Sequence, residues 1–244
     1  MIKVYQLSEA VVLQYDDTNA LPEIILPSIV RSISFMHTIR TPDHVCFIDL
    51  VNPEAVSFCR YIKENNLSLI RIPAHSDPFY TPYLIGHELG HYLINIHKQV
   101  KNPYNNKPIS TYEELFASVL ACDLISKIKE TYINHRDKRL FQRVLQSEKM
   151  QAAHTKEALK AYDSIAAAPL WSIRREEPDY GLIEGIAPII HNVFVRHPSL
   201  WLLLPHIQEI HPLVSWKEFL EQADLLTEKR CHDGIEEFRA LLFP

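Results

Sequence analysis

Ile85-Gly86-His87-Glu88-Leu89-Gly90-His91-Tyr92-Leu93-Ile94-Asn95-Ile96-His97 brings three histidines and a glutamate into thirteen residues. On a helix His87 and His91 stand one turn and about 40° apart, so both imidazoles can reach a single ion. Glu88 projects beside them, where a carboxylate can take a proton from metal-held water without being a ligand itself. The spacing is that of H-E-x-x-H, a zinc-binding arrangement. Its setting agrees. Thr81-Pro82 combines an N-cap residue with a proline suited to the first helical position, which predicts a helix starting there and carrying the motif. Upstream, Leu67 to Ile72 reads as a strand closed by Pro73, available as an edge for an extended peptide. Downstream, Lys98 to Pro108 is a loop rich in Asn, Lys and Pro.

Three protein groups around zinc leave a fourth position open, so a third ligand is needed. His97 stands where one zincin class places a third histidine after a helix-breaking glycine. Here Ile94 occupies the glycine position, and on an unbroken helix His97 lies about 240° around from His91. It is read as a polar residue near the helix C-terminus, where a cation is favoured; as an alternative third ligand it needs a bend, which Asn95 could supply. The next helix, starting at Ser110 or Thr111 and running to about Lys129, offers two carboxylates. Ser110 and Glu113 have capping-box spacing, which gives Glu113 a structural duty. Glu114 heads a stripe of small residues, Ala117, Ser118, Ala121 and Cys122, that allows close packing on Gly86 and Gly90. Glu114 is the expected third ligand; in the other register Thr111 caps Glu114 and Glu113 faces the metal.

Working outward, Ile2 to Leu7, Val11 to Tyr15 and His44 to Leu50 read as strands, and Pro22 to Ile39 as a helix with Pro27 in its first part. Asn52-Pro53 predicts a helix through Lys63, ended by Asn65-Asn66. From Asn134 onward only helical patterns are seen, broken at Pro169, Pro178, Pro198, Pro205 and Pro212. Only five glycines occur in 244 residues, which fits few tight hairpins and a predominantly helical α+β chain.

The formal charge of −5 argues against a general nucleic-acid or membrane-surface binder. The run His135-Arg136-Asp137-Lys138-Arg139 with Arg143 therefore reads as a solvated helix face, and direct nucleic-acid binding is not expected. The late histidines, from His191 to His232, lack a tight ligand spacing. Cys46, Cys59, Cys122 and Cys231 lie far apart and read as reduced thiols. Met1 to Tyr5 lacks signal-peptide features, and Leu200 to Leu204, stopped by Pro205, is far short of the ~20 residues of a span. A cytoplasmic, membrane-free protein is expected.

The run HELGHYL, followed 23 residues after His91 by E-L-F-A-S-V-L-A-C-D-L-I from Glu114, resembles the E-x-x-A-[DN]-x-F-A-x-x-L-L pattern of gluzincin-type metallopeptidases, and most of all the ImmA/IrrE family of cytoplasmic zincins. The resemblance covers about Leu67 to Lys127. It implies a zincin-like core over residues 1–132, with Zn2+ held by His87, His91 and Glu114 and with Glu88 as general base. It also implies a protein or peptide substrate, in that family often a helix-turn-helix repressor. Ser118 stands where the pattern has Asp or Asn. Residues 133–244, a helical region expected to pack on the core as one unit, have no counterpart in it. An oxyanion donor is required, for which Tyr112, His154, Arg196 and His197 are candidates. The rival reading is a zincin-shaped regulatory or binding protein that acts through its helical C-terminal half without catalysis.

Overall fold

The computed structural model describes residues 2–16, 25–39, 44–51, 57–73, 81–95, 111–133, 153, 156–157, 159–160, 162–168, 171–172, 177–211 and 214–244. Its architecture is α+β. Strands β1 (Ile2–Gln6) and β2 (Val11–Asp16) precede helix α1 (Ile25–Ile39), and β3 (Val45–Leu50), β4 (Phe58–Ile62) and β5 (Leu67–Arg71) precede α2 (Thr81–Asn95) and α3 (Thr111–Ile133). After them come the short strands β6 (Trp171–Ser172) and β7 (Glu177–Pro178). Helix α4 (Tyr180–Arg196), a 3-10 segment over Pro198–Glu209, α5 (Trp216–Leu226) and α6 (His232–Leu242) complete the order. The chain divides into two compact units, one formed by Met1–Ile96 with Leu120–Gln146, the other by His97–Val119 with Ser147–Pro244. Among the described residues no helix is long and apolar enough to cross a membrane.

In the first unit the five strands run in the order β1-β2-β3-β5-β4. The inner three are parallel, while β1 and β4 pair antiparallel with their neighbours. Period-two alternation sorts the side chains. Leu13, Ile48 and Ile70 align across the sheet on one fully buried face, and Val12, Phe47 and Leu69 lie half-buried on the other. Helix α2 lies along β4 and β5 and meets α1. The apolar positions of the motif helix, Ile85, Leu89 and Leu93, are all buried.

Two expectations are corrected here. The helix expected from Asn52 to Lys63 is instead a strand over Phe58–Ile62 followed by a 3-10 turn over Lys63–Asn65; its first part, 52–56, lies outside the described residues. The reason is tertiary. Phe58-Cys59-Arg60-Tyr61-Ile62 is an aromatic and β-branched run that gains a ladder by folding back on β5, and Asn66 closes the turn at φ 48° and ψ 51°. Asparagine tolerates that left-handed conformation, so the local helix-start signal loses to strand pairing. As a consequence β5 is an interior strand rather than an available edge. Among the described residues the edges are β1 and β4, and it is β4 that lies beside α2. The second correction is the pairing of β6 with β7 in a region read as wholly helical; strands of two residues are too short to show a period.

The second unit is built on aromatic packing. Phe116 of α3 stacks with Phe219 of α5 at 5.6 Å, Phe194 of α4 meets Trp201 edge-on at 4.7 Å, and Trp216 meets Phe238 of α6 at 5.7 Å. Side chains cap the starts of α4 and α5. Asp179 accepts from the Leu182 N–H, and Ser215 and Glu218 form a reciprocal capping box at the start of α5. Pro205 does not stop the chain from coiling: it sits inside the 3-10 segment.

Candidate metal centre

The approach of α2 to α3 is set by one glycine. A Cβ at Gly86 would lie 2.7 Å from the Ala121 Cα and 3.3 Å from Leu124, so the two helices meet at a distance only glycine permits. Ala121 belongs to the small stripe read from the sequence, and α3 continues unbroken from Thr111 to Ile133. Glu114 lies seven residues before Ala121. Two helical turns bring it back to nearly the same face, the one directed at α2.

The outcome is a cluster. One potential ligand atom each from His87, His91 and Glu114 falls within a sphere where all lie within 4.8 Å of one another. Among the described residues no other group of three His, Cys, Asp or Glu side chains comes together in this way. The His87 and His91 Nε2 atoms stand 3.1 Å apart. Two nitrogens each ~2.0–2.1 Å from a tetrahedral zinc are ~3.3 Å apart, so the imidazoles already have nearly the separation that shared coordination requires. His91 and Glu114 are buried, the latter to 2% exposure, and Glu88 retains 5%. Burying a carboxylate is costly, and a divalent cation between Glu114 and the two imidazoles would supply a compensating charge. Two nitrogens and one carboxylate oxygen form a donor set that fits zinc.

Glu113, the alternative ligand, is also buried, but it accepts a hydrogen bond from Gln208 Nε2 at 3.4 Å and does not join the cluster. Ser110, its expected capping partner, lies outside the described residues, as does His97. Ser118, at the position where the resembled pattern has Asp or Asn, is buried on α3 at 1% exposure.

The candidate oxyanion donors are engaged elsewhere. Tyr112 donates its hydroxyl to the Val214 carbonyl at 2.6 Å and stacks on Phe219 at 4.1 Å; burial pushes that hydroxyl's pKa up. Arg196 and His197 both bind Glu237, His197 at 2.6 Å, and His154 lies outside the described residues. The Arg196 and His197 bonds hold the Glu237 carboxyl below its ordinary range. The sequence reading overlooked Tyr83, whose buried ring stacks on His87 with centroids 6.3 Å apart. Its i, i+4 relation to His87 was the available signal. No family model, no curated protein and no solved structure matches this chain.

Proposed function

We propose that the chain is a zinc-dependent peptidase that hydrolyses a peptide bond in a specific, regulatory protein of the cytoplasm. The observation that carries this reading is the convergence of His87 and His91 with the buried carboxylate of Glu114, beside a second buried carboxylate, Glu88, that is not part of the ligand set. His87, His91 and Glu114 would hold the ion. Zinc, when bound, supplies a charge that polarises a carbonyl and acidifies water. Glu88 then takes the proton released as water oxygen bonds to the carbonyl carbon, and passes it to the nitrogen as the carbon–nitrogen bond breaks. Strand β4, an edge of the sheet among the described residues, lies beside α2, which suits an extended substrate laid against it as a further strand. The fold proposed for this part of the chain is a zincin core, and the ImmA/IrrE resemblance of HELGHYL and the Glu114 helix supports the same class.

The test compares protein N-termini across cells producing the chain and cells producing Glu88→Gln. New termini in a defined target, seen only with the unaltered chain, are the expected result. Identical sets of termini would contradict cleavage and favour the non-catalytic binding reading.

A further inference from the structure

On the side of α2 turned away from the histidine pair, a chain of buried polar side chains ties this helix to the sheet. The peptidase chemistry has no use for them. Tyr92, the residue after His91, is 2% exposed and donates its hydroxyl to the His44 carbonyl at 3.0 Å. The His44 ring meets the Tyr92 ring edge-on at 5.3 Å and the Tyr61 ring of β4 at 5.0 Å. Its Nε2 stands 2.7 Å from Ser68 Oγ on β5. His44 and Ser68 are themselves buried, and all of these residues belong to the unit formed by the sheet and α2. Apolar side chains could fill the same space without any demand for partners, so the polar contacts call for a purpose beyond packing.

That purpose follows from where the contacts fall on the helix. Tyr92 lies about 140° around α2 from His87, towards the sheet, and Gly86 lies about 100° away on the other flank, against Ala121. The helix is thus gripped at two points on its far side while the imidazoles point away from both. Ring nitrogens sit ~5–6 Å from the axis, so a rotation of ~10° displaces them by ~1 Å. Metal–ligand distances tolerate only ~0.2 Å. Close packing at Gly86 limits approach but does not fix rotation; a directional hydrogen bond on the opposite flank does.

We propose that Tyr92, His44 and Ser68 form a positioning chain that sets the rotation of α2 and so aims the His87 and His91 nitrogens at the metal, an inference that rests on the metal reading above. Ser68 and Tyr61 hold the His44 residue, and its carbonyl holds Tyr92. None of the three touches the reacting atoms.

The test uses cobalt(II), whose visible absorption reports ligand geometry, as the probe ion on the full chain. Tyr92→Phe keeps the ring and removes one oxygen. It is expected to bind cobalt about 10- to 100-fold more weakly, with an altered visible band, as removal of a group that orients a ligand does. Ser68→Ala should move both readouts the same way and supplies the answer if Tyr92→Phe does not fold. Thr227→Val, which loses a buried hydroxyl bonded to the Ala223 carbonyl at 2.8 Å in the other unit, should leave both unchanged. Unaltered affinity and spectrum in Tyr92→Phe and Ser68→Ala, with normal binding by the unaltered chain, would overturn the positioning role alone. An unaltered chain that takes up no cobalt would overturn both it and the peptidase reading.

Discussion

The motif helix with its α3 partner and the helices α4 to α6 obey the same 3.6-residue geometry but bury opposite kinds of side chain. Around α2 and the start of α3 the interior includes Glu88, His91, Glu113, Glu114 and Ser118. Within α4 to α6 it consists mainly of Ile186, Ile190, Phe194, Phe219, Ile235 and Phe238, and acidic side chains such as Glu218 and Glu237 stay near the surface with local partners. Burying a carboxylate works against stability unless something compensates it, whereas burying an aromatic ring drives folding. The difference separates an interior that carries buried polar and acidic side chains from one that is mainly apolar, and each can be perturbed without the same cost to the other.

The largest effect should follow from Glu88→Gln, which keeps the proposed ligands but removes the proposed base. Zinc content should be unchanged and turnover of the target, once identified, should fall about 10²- to 10⁴-fold in a steady-state assay. Comparable metal loss and rate loss together would assign Glu88 to the ligand set instead. Phe219→Ala probes the other side of the comparison. It removes a fully buried ring that touches Tyr112, Phe116 and Trp216, and should lower unfolding free energy in urea by about 3–5 kcal/mol. A loss below ~1 kcal/mol would mean that the aromatic cluster is not what holds these helices together.

Gly86→Ala comes next in size. The added methyl meets the Ala121 backbone, so α2 and α3 must part, at a cost of about 1–3 kcal/mol, and zinc affinity should fall with it. Destabilisation with undiminished affinity would show that the ligand pair does not depend on this contact. Ser215→Ala should cost about 1 kcal/mol by removing the cap of α5, measured by thermal unfolding. The smallest effect concerns pH. Backbone and hydroxyl hydrogen bonds from Ser215 hold the Glu218 carboxyl below its ordinary value of 4.5. A lowered folded-state value stabilises the fold above pH 4.5 and is lost as pH falls through it. The stability difference between the unaltered chain and Glu218→Gln should therefore shrink in acid. A difference that grows in acid would reverse the sign.

Much of this was legible in the sequence because it is local. Four of the five main strands, the helix from Thr81 and the choice of Glu114 over Glu113 as the residue near the histidines rest on period, caps and a stripe of small residues. The structure groups Glu114 with His87 and His91. What escaped is non-local. Strand β4 exists because β5 offers a ladder, and nothing between Phe58 and Ile62 outweighs a nearby Asn-Pro helix start until that partner is known. The edge therefore went to the wrong strand. The Tyr92 bond to the His44 carbonyl joins residues 48 apart and leaves no periodic trace.

The central claim is tested most directly by zinc analysis of protein purified without a metal-affinity tag. The account predicts about one zinc per chain, lost in His87→Ala, sharply weakened in Glu114→Gln and kept in Glu113→Gln. No bound zinc in the unaltered chain, or zinc that survives His87→Ala, would contradict it.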